Sequence, residues 1–368
     1  MILLDAHKIQ WHADRVNEWL AGKRVYPITI DCAIDKRCTY ECAYCFGKFQ
    51  RNDYRLLSKE VITDFLTDCS SIGVKGVSFV SDGESTCNKH LYHAITYGKS
   101  LGIDMALGTN GYLLDDNQLD EILPALTYLR FNISAGLPER YAFIHGVEPK
   151  CFHKVVGTIK KCVEIKRKRN LDVTIGTQMV LMPKYGMDII PLARLARDLE
   201  VDYLVIKHCA DMPRDENKLG IVYSDYDRLK DVLLEAESYS TERTQISVKW
   251  SKIADGNTKS YTRCYGPPFQ LQMSGNGLVA PCGSFFETGC SKYHIGNITE
   301  QRFIDIVRSD RYWEVMDHLA SDQFDAVSEC ANLCLQHKIN GYLDALKKSG
   351  ITHIDKPEGK EPMHINFI

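Results

Sequence analysis

The chain has no apolar run approaching the 18 or so residues that one helix needs to cross a bilayer. It has no internal repeat and no low-complexity stretch, which excludes a solenoid or a long disordered tail. It also lacks an excess of either charge. Lysines and arginines number 45 and aspartates and glutamates 48, for a net charge of −3. Such a mixed balance withholds the basic face expected of a nucleic-acid binder. The opening Met-Ile-Leu-Leu-Asp has none of the layout of a secretory signal. A cytoplasmic location with no membrane partner is therefore expected.

What the chain does have is cysteine, 14 in 368 residues. In a reducing compartment that usage argues against a disulfide framework and for metal or catalytic roles. Three cysteines, Cys38, Cys42 and Cys45, follow the apolar run Val25 to Ile34 with C-x3-C-x2-C spacing. Thiolates are soft ligands suited to iron or zinc. A zinc ion would require a fourth ligand, Cys32 or a distant histidine. A four-iron cluster held by three thiolates would keep one iron open to a substrate or cofactor.

A second set lies downstream. Cys264 and Cys282 flank alternating residues around Gly275-Asn276-Gly277, which read as a β-hairpin that brings both thiols to one end. The spacing of Cys330 and Cys334 predicts two thiols one helical turn apart. Four sulfurs suit zinc or an iron-sulfur cluster alike. Cys32, Cys69, Cys87, Cys151 and Cys162 read as ordinary buried residues. Cys209 and Cys290 are expected near a site.

Between the two sets, short β-branched runs alternate with helical patterns. Strands are predicted at Ile28–Ala33, Gly76–Ser81, Asp104–Thr109, Tyr128–Ser134, Val173–Val180 and Tyr203–Lys207. Helices are predicted at 6–22, Ser58–Ser71, Lys89–Leu101, Asn117–Leu123, Cys151–Lys168, Ile189–Leu199 and Ser224–Glu237. Six βα units in series imply an α/β fold with a parallel sheet and right-handed crossovers. Its function should sit at the C-terminal ends of the strands. Period-two alternation then puts Arg130, Asn132 and Ser134 on one inward face, with Thr174 and Gln178 beside them. Lys207, His208 and Cys209 close the sixth strand.

The cysteine loop resembles the signature of the radical S-adenosylmethionine (radical SAM) superfamily. The downstream cysteines resemble its twitch domain, a shortened SPASM domain. The resemblance implies a partial (β/α)6 TIM-type barrel followed by a small α+β domain. It implies a 4Fe-4S cluster on Cys38, Cys42 and Cys45 that binds SAM and cleaves it reductively to a 5′-deoxyadenosyl radical. It implies an auxiliary 4Fe-4S cluster on Cys264, Cys282, Cys330 and Cys334. Ser81-Asp-Gly-Glu84 resembles the family's GGE segment, with Asp82 replacing the first glycine. By the same resemblance Tyr44, Gly83, Glu84, Asn132, Ser134 and Gln178 would contact SAM. The expected layout is a helical extension over 1–24, a barrel over 25–240, the cluster domain over 241–345 and a tail over 346–368. The tail could cover the barrel mouth or extend from the domain.

The preferred reading is oxidation of a sugar-like or cyclitol-like small molecule, with the leftover electron passing to the auxiliary cluster. Arg130, Lys207 and His208 are candidates for the base. A peptide-modifying maturase is the alternative, although residues 1–24 are few for a peptide-recognition module. A redox-neutral epimerase is another, with Cys209 or Cys290 as hydrogen donor. An electron donor such as flavodoxin or ferredoxin is the expected partner. Tyr141 and His145 are possible substrate contacts.

Overall fold

A computed structural model describes residues 2, 5–50, 52–209, 211, 219–255, 258–330 and 334–368. Seven neighbouring strands run parallel: β1 Thr29–Cys32, β2 Gly76–Phe79, β3 Asp104–Thr109, β4 Leu126–Asn132, β5 Thr174–Leu181, β6 Tyr203–His208 and β7 Gln245–Val248. The six predicted strands are all present. The seventh, β7, lies beyond the expected end of the barrel segment.

The largest departure is at the other edge. The hairpin strands β8 Gln270–Met273 and β9 Leu278–Ala280 do not form a separate sheet. β8 pairs parallel with β1, and β9 and β10 (Gly296–Asn297) continue outward antiparallel. One ten-stranded sheet results, ordered β10-β9-β8-β1-β2-β3-β4-β5-β6-β7. Its outer strands do not pair, so it is an open, partial barrel.

Helices cover the outer face. They include α2 Lys59–Ser71, α3 Leu91–Ser100, α6 Pro149–Arg169, α7 Ile189–Leu199 and α8 Lys230–Ser238. Ser58 caps α2 by accepting from the Val61 amide. One apolar row in register, Leu107–Leu129–Ile175, is fully excluded from solvent beneath these helices. Each such side chain contributes ~2 kcal/mol of burial. The alternate residues of the same strands face the barrel interior. Although α6 is 21 residues long, no described helix is both long and apolar enough to cross a membrane.

A helix absent from the expectation, α5 Pro138–His145, precedes α6. Pro138 fixes its first turn, and Gly146 ends it with φ 64°. The predicted N-terminal helix is a 3-10 turn, Ile9–His12, followed by α1 Ala13–Leu20. Ile9 and Val16 pack on Tyr265, Phe269 and Leu343, the last from α13 His337–Lys348. The final residues neither cover the mouth nor extend away. They run beneath the N-terminal strand ends, where the Thr29 hydroxyl donates to the Asn366 carbonyl at 2.5 Å. The Asn366 amide donates to Asp104 at 2.8 Å, and Lys8 donates to the Phe367 carbonyl at 2.7 Å.

Candidate iron-sulfur and substrate sites

The loop after β1 presents Cys38 and Cys45 at the surface, with Cys42 partly covered. Burial lifts the Cys38 thiol to about 11 and the Cys42 thiol to about 12, and Cys45 beside them adds to both shifts. The loop is held from several directions. The Tyr40 amide donates to Cys38 Sγ at 3.4 Å. The Asn110 side chain donates to Cys38 Sγ at 3.7 Å and to the Thr39 hydroxyl at 3.2 Å. His145 Nε2 accepts from the Ser134 amide at 3.0 Å. That bond fixes the tautomer, so Nδ1 carries the proton and points it at Cys42 Sγ, 3.1 Å away. Burial holds the ring neutral, with its pKa pushed down to about 3.

The Ser81-Asp-Gly-Glu84 turn sits beside this loop. Gly83 has φ 93°, and a Cβ there would lie 2.2 Å from the Asp35 carbonyl oxygen, so only glycine fits. Glu84 departs from its expected role. Its carboxylate accepts from the Thr86 amide and hydroxyl, the Thr109 hydroxyl and the Asn110 amide. It therefore ties the ends of β2 and β3 together and has little capacity left for a ligand. Asp82, in the first glycine's place, accepts from the Ser274 hydroxyl at 2.6 Å and the Gly275 amide at 2.9 Å. It joins the barrel to the hairpin.

Other expected contacts are also partly committed to the protein. Ser134 Oγ accepts from the Val180 amide at 3.2 Å. Gln178 donates to Asn132 Oδ1 at 2.8 Å. The Tyr44 hydroxyl lies 3.4 Å from His145 Nδ1. Tyr141 and His145 are fully buried, so neither is a substrate contact, and the Tyr141 hydroxyl bonds that of Tyr40 at 3.0 Å. Cys209 and Cys290 are both 1% exposed, and the Cys209 thiol donates to the Tyr44 carbonyl at 3.8 Å. Cys209 therefore lies against the cysteine loop, near the site as expected, while Cys290 sits by the Ser284 carbonyl in the downstream module. Cys87, expected to be buried, is only partly so.

The barrel interior carries charge. Asp31, Arg130, Lys207 and Lys249 share the inward face, and Lys252 reaches it from α9 Trp250–Asp255. All five lie deep in the fold yet keep some accessible surface, which makes them walls of a water-accessible cavity. Desolvation, then Arg130 and Lys252, push Lys207 down to about 7. Burial lifts Asp31 to about 6. The structure separates the three candidate bases. Arg130 remains a cation and cannot accept a proton. His208 falls on the opposite strand face from Lys207, against Tyr223 and Tyr226, with its pKa pushed down to about 3 by burial and by three lysines. Lys207 alone combines an inward position with a suitable proton affinity.

Cys264, Cys282, Cys330 and Cys334 lie close enough to raise one another's proton affinity, with one local difference from the expected spacing. Cys330 is extended rather than helical, at the end of α12 Ala326–Glu329. Residues 331–333 between it and Cys334 lie outside the described residues, so the helical-turn spacing is not described there. Asn340 of α13, which no spacing signalled, is fully buried behind these thiols. Its carbonyl oxygen accepts from the Tyr265 and Gly266 amides, each at 2.8 Å. Its amide must therefore face Cys264 Sγ at 3.5 Å and Cys334 Sγ at 3.9 Å. Burial and neighbouring thiols raise Cys264, Cys282 and Cys330, with Cys282 at about 12.

No disulfide joins the cysteines. Clustered thiols with raised proton affinity become thiolates only when cationic metal replaces the protons. Among the described residues no three His, Cys, Asp or Glu side chains converge on a single metal ion. Three thiols at the barrel and four downstream are donor sets that four-iron clusters take.

Comparison with known proteins agrees with this reading of the thiols. Residues 34–196 match the Radical SAM superfamily, and residues 264–334 match SPASM, an iron-sulfur cluster-binding domain. The tungsten-containing aldehyde ferredoxin oxidoreductase cofactor-modifying protein of Pyrococcus furiosus is 22% identical over 294 residues, 76% of this chain and 80% of that one. The AdoMet-dependent heme synthase of Methanosarcina barkeri is 23% identical over 295 residues, 73% of this chain and 78% of that one. The fold is shared with Streptococcus suis SuiB bound to its precursor peptide SuiA, at a TM-score of 0.62 and 15% identity over 94% of this chain and 76% of that one. It is also shared with anSMEcpe with bound AdoMet, at 0.56 and 15% over 88% and 97%.

Proposed function

We propose that this chain is a radical SAM protein with a C-terminal SPASM-type domain, as its matches to both families support, and that it oxidises a small molecule held in the barrel cavity. The observation that carries the reading is the placement of the Cys38–Cys45 loop at the C-terminal strand ends, over a charged interior that contains Lys207. Cys38, Cys42 and Cys45 would hold the SAM-binding 4Fe-4S cluster, and Cys264, Cys282, Cys330 and Cys334 the auxiliary one. When bound, the first cluster and SAM supply a carbon radical able to take a hydrogen atom from an unactivated C–H bond.

The chain's own residues do the rest. Asn110, His145 and the Tyr40 amide orient the barrel thiols. Glu84 and Asp82 lock the turn beside them. Lys207 takes the proton that an alcohol or amine gives up as its carbon is oxidised. Asn340 orients two of the four downstream thiols. The names of the relatives, a heme synthase and a cofactor-modifying protein, support a small-molecule substrate. The narrower expectation of a sugar-like or cyclitol-like substrate draws no separate support from a cavity wall of one arginine and three lysines.

The test is anaerobic reconstitution with iron and sulfide, followed by dithionite and SAM. Formation of 5′-deoxyadenosine, abolished in Cys42→Ala, is the expected result. Its absence from a protein that holds its iron would overturn the reading.

A further inference from the structure

Register puts Lys207 and Lys249 side by side. β6 and β7 pair Tyr203 with Gln245 and Val205 with Ser247, so the next inward positions are 207 and 249. Arg130 approaches from β4. It lies above Gly108, where a Cβ would be 3.4 Å from its Nη2. The intervening strand is cleared by Gly176. A Cβ there would sit 2.1 Å from the Tyr203 ring, so only glycine lets that ring lie across β5 toward Arg130. Lys252 completes the group from α9.

Among the described residues the carboxylates that act on this group, Asp31, Asp5 and Asp255, do so from a distance. Among the described residues no carboxylate lies within ion-pair distance of Arg130, Lys207, Lys249 or Lys252. The nearest inward carboxylate, Asp31, is bonded by the Gln270 amide at 2.9 Å. The Arg130 guanidinium meets the Tyr203 hydroxyl and lies over the Tyr128 ring, but its Nε–H is buried with no hydrogen-bond partner, and the Gln270 side-chain oxygen is likewise buried and unpaired. A buried guanidinium donor without an acceptor is costly unless a ligand supplies one.

We propose that this wall of the cavity binds an oxyanion group of the substrate, a carboxylate or a phosphate, with Arg130 as the directional donor and Lys249 and Lys252 as flanking amines. Arg130 has the fork geometry that both oxyanions accept. The proposal rests on the reading of the cavity as the substrate site. It narrows that substrate to an anion and leaves Lys207 as the base beside the held group.

The probe is pyridoxal 5′-phosphate, an aldehyde that carries an oxyanion, against uncharged pyridoxal, each added to reconstituted holoprotein. A lysine amine condenses with the aldehyde carbon, water leaves, and cyanoborohydride reduces the imine to a stable secondary amine that peptide mass mapping locates. Labelling of Lys207 or Lys249 by the phosphate-bearing aldehyde should be about tenfold faster than by pyridoxal, and Arg130→Gln should remove that preference. Inorganic phosphate and succinate then compete separately in the wild type. Suppression by one names the oxyanion, and suppression by neither overturns the proposal. Equal labelling by the two aldehydes overturns it as well. So does loss of SAM binding in Arg130→Gln, which would give the cations to SAM's own carboxylate. Deoxyadenosine formation is measured on the same preparation. If it persists without anion preference, only this proposal fails. If it is absent, the functional reading fails first.

Discussion

His145 Nδ1 lies 3.1 Å from Cys42 Sγ across 103 residues of chain. The Ser134 amide, donating to the other ring nitrogen, leaves this nitrogen no role but donor. Hydrogen bonds to ligand sulfurs stabilise the more negative, reduced state of a cluster and so raise its potential. His145→Phe should therefore retain iron but shift the barrel cluster to a more negative potential. Redox titration followed by electron paramagnetic resonance reads that shift. An unchanged potential would assign His145 to packing alone.

Asp82 links two modules through one carboxylate. Its substitution by alanine leaves the Ser274 hydroxyl and the Gly275 amide buried and unpaired. Each lost partner costs about 1–3 kcal/mol, so Asp82→Ala should lose about 3 kcal/mol in denaturant unfolding. Asp82→Asn, which keeps an acceptor oxygen, should lose less.

The two thiol sets should load independently. Wild-type protein should bind about eight irons, four for each cluster. Cys282→Ala should bind about four and still release deoxyadenosine from SAM, while product formation from the true substrate fails. Iron analysis and chromatography on one sample distinguish the two losses.

Lys207 predicts a pH profile. Burial first, then Arg130 and Lys252, lower its proton affinity, while Cys209 and Asp31 oppose them. A base must be neutral to accept a proton. The rate of the oxidation step should therefore rise about tenfold per pH unit below about 7 and level off above it. Lys207→Met should abolish the rising limb. The same group also acts on stability. Its folded pKa lies below its unfolded value of about 10.4, so the unfolded chain binds more protons between the two. Its contribution accordingly improves as pH rises from about 7 and is most unfavourable below that.

The cysteine spacing and the period-two alternation of β4 and β5 were legible because both are local. The loop needs eight consecutive residues, and strand faces follow from the pleat alone. Asp82–Ser274, His145–Cys42 and Asn340–Cys264 were not legible, because each joins positions far apart in the chain. α5 did carry local signals, in Pro138 at its start and Gly146 at its end. β7 carried one in the alternation of Ile246 and Val248 with Gln245 and Ser247. Four-residue strands give periodicity too few repeats to stand out. The commitments of Glu84 to the protein were hidden for another reason. Sequence shows an acidic side chain but not how many donors already surround it.

The pairing of β8 with β1 reaches beyond architecture. The loop bearing Cys38 leaves one of these strands, and the hairpin ending in Cys282 begins with the other. Adjacent strands are spaced at ~4.8 Å by their peptide hydrogen bonds. The two cysteine sets are thus tied to one shared ladder rather than to a flexible joint, a ruler built into the sheet itself.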